Sequence, residues 1–298
     1  MDLTQITKKI LNKENINYIN ITKINSGFTN ICFSIDEKFI VKINFNNNEK
    51  LEKEIEFYKN ISFPFMPKLI SSGKIDDYTY LIIEKIKGQS LYYLWHTFDN
   101  SKRKNIIAQM CYILKTIHSI KNINFLKNNF IYKNWFDFFK NSFDSIIKKL
   151  IEFGCETTFL EMFINKKLKE IMSEQKNAII YNDAHFDNFI YDGEKLFLID
   201  FDRIIFSPID YELLIISSMA EKPEKFANEE CEKFCNKNDY EPIFKWINEF
   251  YPELFDFNFL NERLFVYKFV YNINNAFKFN HKNTIENEIK KFKNFFNL

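Results

Sequence analysis

No excess of either charge, no long apolar run and no cysteine–histidine cluster stands out in this chain, and each lack narrows its chemistry. Lysines and arginines number 41 against 40 acidic residues, a net charge of +1, whereas a broad nucleic-acid-binding face needs a basic excess. No stretch approaches the roughly 18 uninterrupted apolar residues that suggest a membrane-spanning helix. Residues 1–13, with Asp2, Lys8, Lys9 and Lys13, are too polar for a signal peptide. The expectation is a cytoplasmic protein with no membrane and no nucleic-acid partner. Cysteine is sparse and odd in number: Cys32, Cys111, Cys155, Cys231 and Cys235. Only the last two are close, and no second pair or nearby histidine completes a zinc set. They read as two thiols on one helical turn. Gly/Ser linkers, internal repeats and low-complexity segments are missing as well. What is present is globular material, 298 residues of which 46% are apolar, ample for one large domain or two lobes.

The densest signal lies between residues 179 and 202. Two apolar runs, 179–181 and 196–199, each end abruptly in carboxylates, as short buried strands do. Residues 189–191 and 196–199 flank Asp192-Gly193, a pair that favours a hairpin turn. Such a hairpin lands Asn188 beside Asp200, with Asp183 on the loop leading in. Hard cations such as Mg²⁺ take oxygen ligands, often one or two from protein and the rest from substrate phosphates and water. Asn188 and Asp200 supply such a pair and leave Asp183 to orient or deprotonate a hydroxyl, the division of labour of kinase-type phosphoryl transfer. Singly, each residue fits a surface turn, since turns favour Asp, Asn and Gly. The whole spacing, Asp-x4-Asn and then Asp twelve residues on after an apolar strand, argues for the site.

Ahead of that stretch, residues 17–25, 30–35, 38–44, 68–72 and 78–84 are strand-like, and 49–61 is rich in helix formers. They predict a small lobe of five antiparallel strands with one helix. Between the first two strands, Asn25-Ser26-Gly27-Phe28-Thr29-Asn30 is a small-residue turn that could lay backbone N–H groups over phosphates or serve as a plain hairpin turn. In Val41-Lys42-Ile43 the lysine points to one sheet face and its neighbours to the other. After residue 84 the character changes to helical patterns at 103–120, 130–153 and 157–172. There His118 and the aromatics Phe136, Phe138, Phe139 and Phe143 read as structural.

Tyr181-Asn182-Asp183-Ala184-His185-Phe186-Asp187-Asn188, followed by Ile199-Asp200-Phe201-Asp202, resembles the catalytic signature of the aminoglycoside phosphotransferase and choline kinase superfamily. The family loop usually opens His-Gly-Asp; here it opens Tyr181-Asn182-Asp183. The resemblance extends over roughly residues 20–215. It implies an α+β, bilobal protein-kinase-like fold, with 1–87 as a nucleotide-binding lobe and 88–298 as a larger, mostly helical catalytic and acceptor-binding lobe. It also implies Mg²⁺ and a phosphate donor, ATP or GTP. Asp183 would be catalytic, and Asn188 and Asp200 would bind the metal. Lys42, paired to Glu54 on the next helix, would hold the α/β-phosphates, with Glu56 a competitor on another helical face. Ser26, Gly27, Phe28 and Thr29 would cover the phosphates with one glycine where protein kinases have three, and Ile83, Glu84 and Ile86 would form the interlobe hinge that reads the base. Asp210 would cap a helix and buttress the loop, and Asp202 occupies an often acidic position.

The acceptor implied is a small molecule, expected to be cationic. Residues 221–262, where the family walls its acceptor site, hold eleven acids against five lysines, and an acidic lip concentrates cations. Trp246, Tyr251 and Phe255 could stack on a quaternary ammonium or pack in the core. An aminoglycoside-type acceptor ranks first, with choline, ethanolamine or sugar kinases as alternatives. A nucleotide-binding pseudokinase is the alternative of another class. A glycosyltransferase using Asp200-Phe201-Asp202 as an Asp-x-Asp motif leaves Lys42 and Asp183 unexplained.

Overall fold

The computed structural model describes residues 2–24, 31–45 and 49–298; Ser26, Gly27, Phe28 and Thr29 lie outside the described residues. Helix α1 (Leu3–Lys13) begins at Asp2, whose side chain accepts the Thr4 N–H at 3.0 Å and so satisfies one of the orphan donors of the first turn. Strands β1 (Ile21–Ile24), β2 (Ile31–Ile35), β3 (Phe39–Phe45), β4 (Leu69–Ile75) and β5 (Tyr78–Glu84) form one antiparallel sheet, in the order β1-β2-β3-β5-β4. The two-residue period of a strand decides which core each side chain joins. Phe33, Ile35, Val41, Ile43, Tyr80 and Ile82 meet Ile6, Ile10 and Leu11 of α1. Leu81 and Ile83 take the opposite face, in a second core with Leu51 and Ile55 of α2 (Glu49–Asn60). Lys42, between Val41 and Ile43, is thereby turned towards α2.

Beyond β5 the chain is mainly helical. The helix Asn100–His118 is capped by Asp99, which accepts the Lys102 N–H at 2.7 Å. It buries Ile106, Ile107, Met110, Ile113, Leu114 and Ile117, the residues whose spacing predicts it. Trp135–Glu152 and Leu260–Lys278 share a third core through Phe139, Phe143, Tyr267 and Phe269. The run predicted at 157–172 is interrupted: a π-helical turn at Ile164–Leu168 joins Thr158–Phe163 to Lys169–Ile171.

Strands β6 (Gln89–Ser90), β7 (Asn177–Ile180), β8 (Phe189–Tyr191), β9 (Leu196–Leu198) and β10 (Ile205–Pro208) make two small sheets, β6-β8-β9 and β7-β10. The expected hairpin is formed, with Phe189 opposite Leu198 and Tyr191 opposite Leu196. Asp192 Oδ1 closes its turn by accepting the N–H groups of Glu194 and Lys195. The architecture is thus α+β, a five-stranded antiparallel sheet joined to a helical part. Among the described residues no helix is long and apolar enough to cross a membrane.

Candidate active site

Two parts of the chain more than 150 residues apart meet at the Lys42 ammonium. Its Nζ lies 2.7 Å from Glu54 Oε1 and 3.0 Å from Asp200 Oδ1. Glu54 is fully buried and also accepts the Phe201 N–H at 3.1 Å, so one carboxylate ties α2 both to β3 and to the residue after Asp200. Burial works against the Lys42 charge, but Asp200 and Glu54 more than offset it and hold the ammonium well above its ordinary range. Burial pushes the Glu54 carboxyl up, with Lys42 opposing. Glu56 is engaged elsewhere, by Lys59 at 2.9 Å, so the pairing falls to Glu54. Phe201 is held by aromatic packing: it stacks on Phe57 at 4.7 Å and meets the edges of Tyr58 and Tyr181. Asp200 itself takes a left-handed conformation, φ 64°.

The hairpin and a 3₁₀ turn at Phe186–Asn188 bring Asn188 to Asp183 and to the residue before Asp200. The Ile199 N–H donates to the Asn188 carbonyl at 3.0 Å, which sets Asn188 next to the residue preceding Asp200. Asn188 Nδ2 donates to the Asp183 carbonyl at 3.0 Å and to Asp183 Oδ2 at 3.1 Å. With its nitrogen so committed, the amide oxygen is the end left to bind a cation. Asp200 keeps a carboxylate oxygen beyond the one facing Lys42, and its side chain is 39% exposed. Two oxygen donors of this kind suit Mg²⁺, which is held through few protein groups together with phosphate and water.

Around Asp183, His185 Nε2 stands 3.5 Å from Oδ2 and Arg203 Nη1 3.6 Å from Oδ1. Burial alone would raise the Asp183 carboxyl; the His185 hydrogen bond and charge, then Arg203 and Asn188, outweigh it and hold the group below its ordinary value. Burial, with the nearby Asp200 charge, raises the Asp202 carboxyl instead.

The two positions that depart from the usual loop have structural uses. Asn182 sits at φ 60°, the left-handed region where asparagine is among the best tolerated residues after glycine. The Tyr181 hydroxyl donates to the Ile199 carbonyl at 2.6 Å, linking the start of the loop to the residue before Asp200.

The buttress of this loop is Glu212, not Asp210. Fully buried Glu212 accepts the Tyr181 N–H at 2.8 Å and the Asn182 N–H at 2.9 Å, with His118 Nε2 at 3.2 Å. An ionised carboxylate only accepts, so Nε2 carries the proton; in a neutral ring, Nδ1 then accepts from the Tyr251 hydroxyl at 2.7 Å. Asp210 makes no helix cap. It is buried against Arg263, with contacts at 2.5 and 3.0 Å, and accepts from the Tyr267 hydroxyl at 2.9 Å.

At the end of β5, Ile83 is buried and the Glu84 N–H donates to the Lys68 carbonyl at 2.9 Å. The Lys85 N–H donates to Lys38. Among the described residues no acceptor meets the Ile86 N–H. In the acidic segment 221–262, five carboxylates face cations of the chain itself: Glu221 faces Lys268, Asp239 Arg103, Glu249 Lys104, Glu253 Lys115 and Asp256 Lys176. Trp246 and Tyr251 are buried in the core, and Phe255 packs against Phe244.

Arg203 and Glu212 escaped the sequence reading. Arg203 follows Asp202 directly, a local signal that a cation was close to Asp200 and Asp202. Glu212 had none, because its partners Asn182, Tyr181 and His118 lie 30, 31 and 94 residues earlier.

The model of the phosphotransferase enzyme family (APH) matches residues 20–243 of this chain. The chain matches no curated protein sequence. Among solved structures, the gentamicin complex of APH(2")-IIa superposes with a TM-score of 0.67 at 18% identity, covering 97% of this chain and 96% of that one. ADP-bound aminoglycoside phosphotransferase APH(2'')-Ib gives 0.67 at 16%, covering 96% and 95%. The GDP complex of wild-type aminoglycoside 2'-phosphotransferase-IIIa gives 0.64 at 13%, covering 97% of each chain. Identities this low speak for the shared fold.

Proposed function

The chain belongs to the phosphotransferase enzyme family, and from that footing we propose that it moves the γ-phosphate of ATP or GTP to a hydroxyl of a small molecule. In this reading Asp183 orients the acceptor hydroxyl and takes its proton. Lys42, positioned by Glu54, holds the α/β-phosphates, and the backbone at Ile83, Glu84 and Ile86 reads the base. Asn188 and Asp200 would hold Mg²⁺, which when bound would neutralise phosphate charge. The nucleotide-binding lobe is residues 1–87 and the catalytic lobe 88–298, with Ser26, Gly27, Phe28 and Thr29 as the cover over the phosphates. Phosphoryl transfer asks little covalent chemistry of the protein, so positioning and charge carry the rate.

The observation that carries the reading is the reach of Lys42 to both Glu54 and Asp200: charges from the sheet, α2 and the segment after the hairpin converge on one point. The roles found for Tyr181 and Asn182 support an active enzyme over a pseudokinase, since both positions still hold the loop. Solved relatives in complex with ATP, ADP or GDP support a nucleotide donor without choosing its base. Relatives bound to gentamicin and streptomycin support an antibiotic-like cationic acceptor. The acidic segment adds less to that than its composition suggests, because five of its carboxylates already face internal cations.

The test is nucleotide hydrolysis by the purified chain without acceptor. Turnover should depend on Mg²⁺, stop with chelator, and need about tenfold or more nucleotide in Lys42→Ala, which loses a charge-assisted contact to phosphate. Hydrolysis indifferent to chelation would reject the reading.

A further inference from the structure

Two polar atoms beside Lys42 are left over by the bonds described above. Glu54 meets both the Lys42 ammonium and the Phe201 N–H through one oxygen, Oε1. Its other oxygen, Oε2, is buried with no hydrogen-bond partner among the described residues, and the buried Tyr58 hydroxyl has none either. Granting the phosphotransferase reading, on which this step rests, we infer that Tyr58 is a positioning residue: its hydroxyl reaches Glu54 Oε2 through one bridging water and so fixes the carboxylate that aims Lys42.

The two side chains are neighbours by construction. Glu54 and Tyr58 are four residues apart within α2, which puts them on one helix face with Cβ atoms about 5–6 Å apart. Phe201 meets both of them. Its N–H donates to Glu54 at 3.1 Å, and its ring stands edge-on to Tyr58 with centroids 5.5 Å apart. Both orphan atoms therefore belong to side chains that converge on the residue after Asp200. They make no direct bond to each other, and a bridging water spans such a separation at little enthalpic loss.

Their chemistry is complementary. Glu54, paired with the Lys42 ammonium, is an acceptor, while a phenol has a proton to give. Burial, and then the Glu54 charge, keep the Tyr58 hydroxyl protonated. A carboxylate gripped by one oxygen can still turn, because the last torsion of a glutamate side chain is soft. A second bond at Oε2 stops that rotation. Lys42 then meets the phosphates from a fixed partner, and neither buried group is left unpaired, as native folds require of most such groups. A hydroxyl with no task would be served as well by phenylalanine, and this difference can be measured.

The full chain is compared with Tyr58→Phe, which removes one oxygen and keeps the ring against Phe201. Scanning calorimetry of the free protein gives Tm, and calorimetric titration with Mg-ADP and Mg-GDP gives nucleotide Kd without turnover. A linked hydroxyl predicts a Tm lower by about 2 °C and a Kd raised about three- to tenfold. In a Glu54→Ala background the same substitution should leave Kd within about twofold, since no carboxylate remains to be held. Wild-type or higher Tm with unchanged Kd in Tyr58→Phe marks an idle hydroxyl and overturns the inference. So does a lower Tm with unchanged Kd, the sign of a purely structural bond, or an equal loss of affinity with and without Glu54. A wild-type chain that binds neither diphosphate defeats the phosphotransferase reading itself, and the inference with it.

Discussion

Replacing Glu212 by Gln isolates the strut beneath the catalytic loop. The wild-type carboxylate receives the Tyr181 N–H and His118 on Oε2 and the Asn182 N–H on Oε1. A glutamine of the same shape can keep its oxygen at the first position, but its NH₂ group then faces the Asn182 N–H, donor against donor. One charge-assisted bond is lost, worth about 1.5–3 kcal/mol, and one buried donor is left unpaired. A net cost of about 2–3 kcal/mol follows, on the order of 4 °C in Tm for a chain of this length. The larger effect should fall on chemistry. Asn182 adjoins Asp183, and a shift of about 1 Å at a reacting group costs on the order of 100-fold in rate. Scanning calorimetry and steady-state kinetics read the two effects separately: kcat should fall about 10–100-fold while nucleotide affinity, which the proposed function assigns to Lys42 and the hinge, stays close to wild type. Wild-type kcat and Tm in Glu212→Gln would refute the strut. A loss of nucleotide affinity equal to the loss of kcat would show that the change spreads beyond the loop.

Lys53 is buried with its ammonium 4.0 Å over the Phe130 ring and without an ion-pair or hydrogen-bond partner among the described residues. Burial, against a nearby Asp202, lowers the amine to about 8. Lys53→Met should therefore stabilise the protein by about 1–3 kcal/mol near neutral pH. Because the folded wild type gives up this proton before the unfolded chain does, its own stability rises between about pH 8 and 10; urea titrations should show the gap to the variant closing there, and a constant gap would contradict the assignment. Arg263→Met strands a fully buried Asp210 with the Tyr267 hydroxyl as its remaining side-chain donor. It should cost about 3–5 kcal/mol by urea denaturation, and a loss below about 1 kcal/mol would mean that Asp210 is neutral in the fold.

Local patterns carried most of the fold and the centre of the site. The run around Lys42 read as a strand because Val41 and Ile43 are β-branched and buried, and the Asp192-Gly193 turn set the hairpin register that brings Asn188 to Asp200. Glu54 over Glu56 was legible from the motif and is explained by burial: one faces Lys42, the other solvent. The misassigned buttress shows where local reading stops. Asp210 and Glu212 both lie just ahead of helix Leu213–Glu221, and only tertiary packing sends one to Arg263 and the other to the loop. The acidic count of 221–262 is likewise incomplete as a guide, since composition cannot say which carboxylates are answered by Arg103, Lys104, Lys115, Lys176 and Lys268.

The central claim, that Asp183 takes the proton from an acceptor hydroxyl while other residues hold the nucleotide, is tested most directly by Asp183→Asn. The asparagine oxygen can keep the Asn188 contact, so folding and nucleotide affinity should remain within about threefold of wild type while turnover drops by about 10²–10⁴. Turnover at the wild-type rate, in a variant that binds nucleotide normally, would contradict the account.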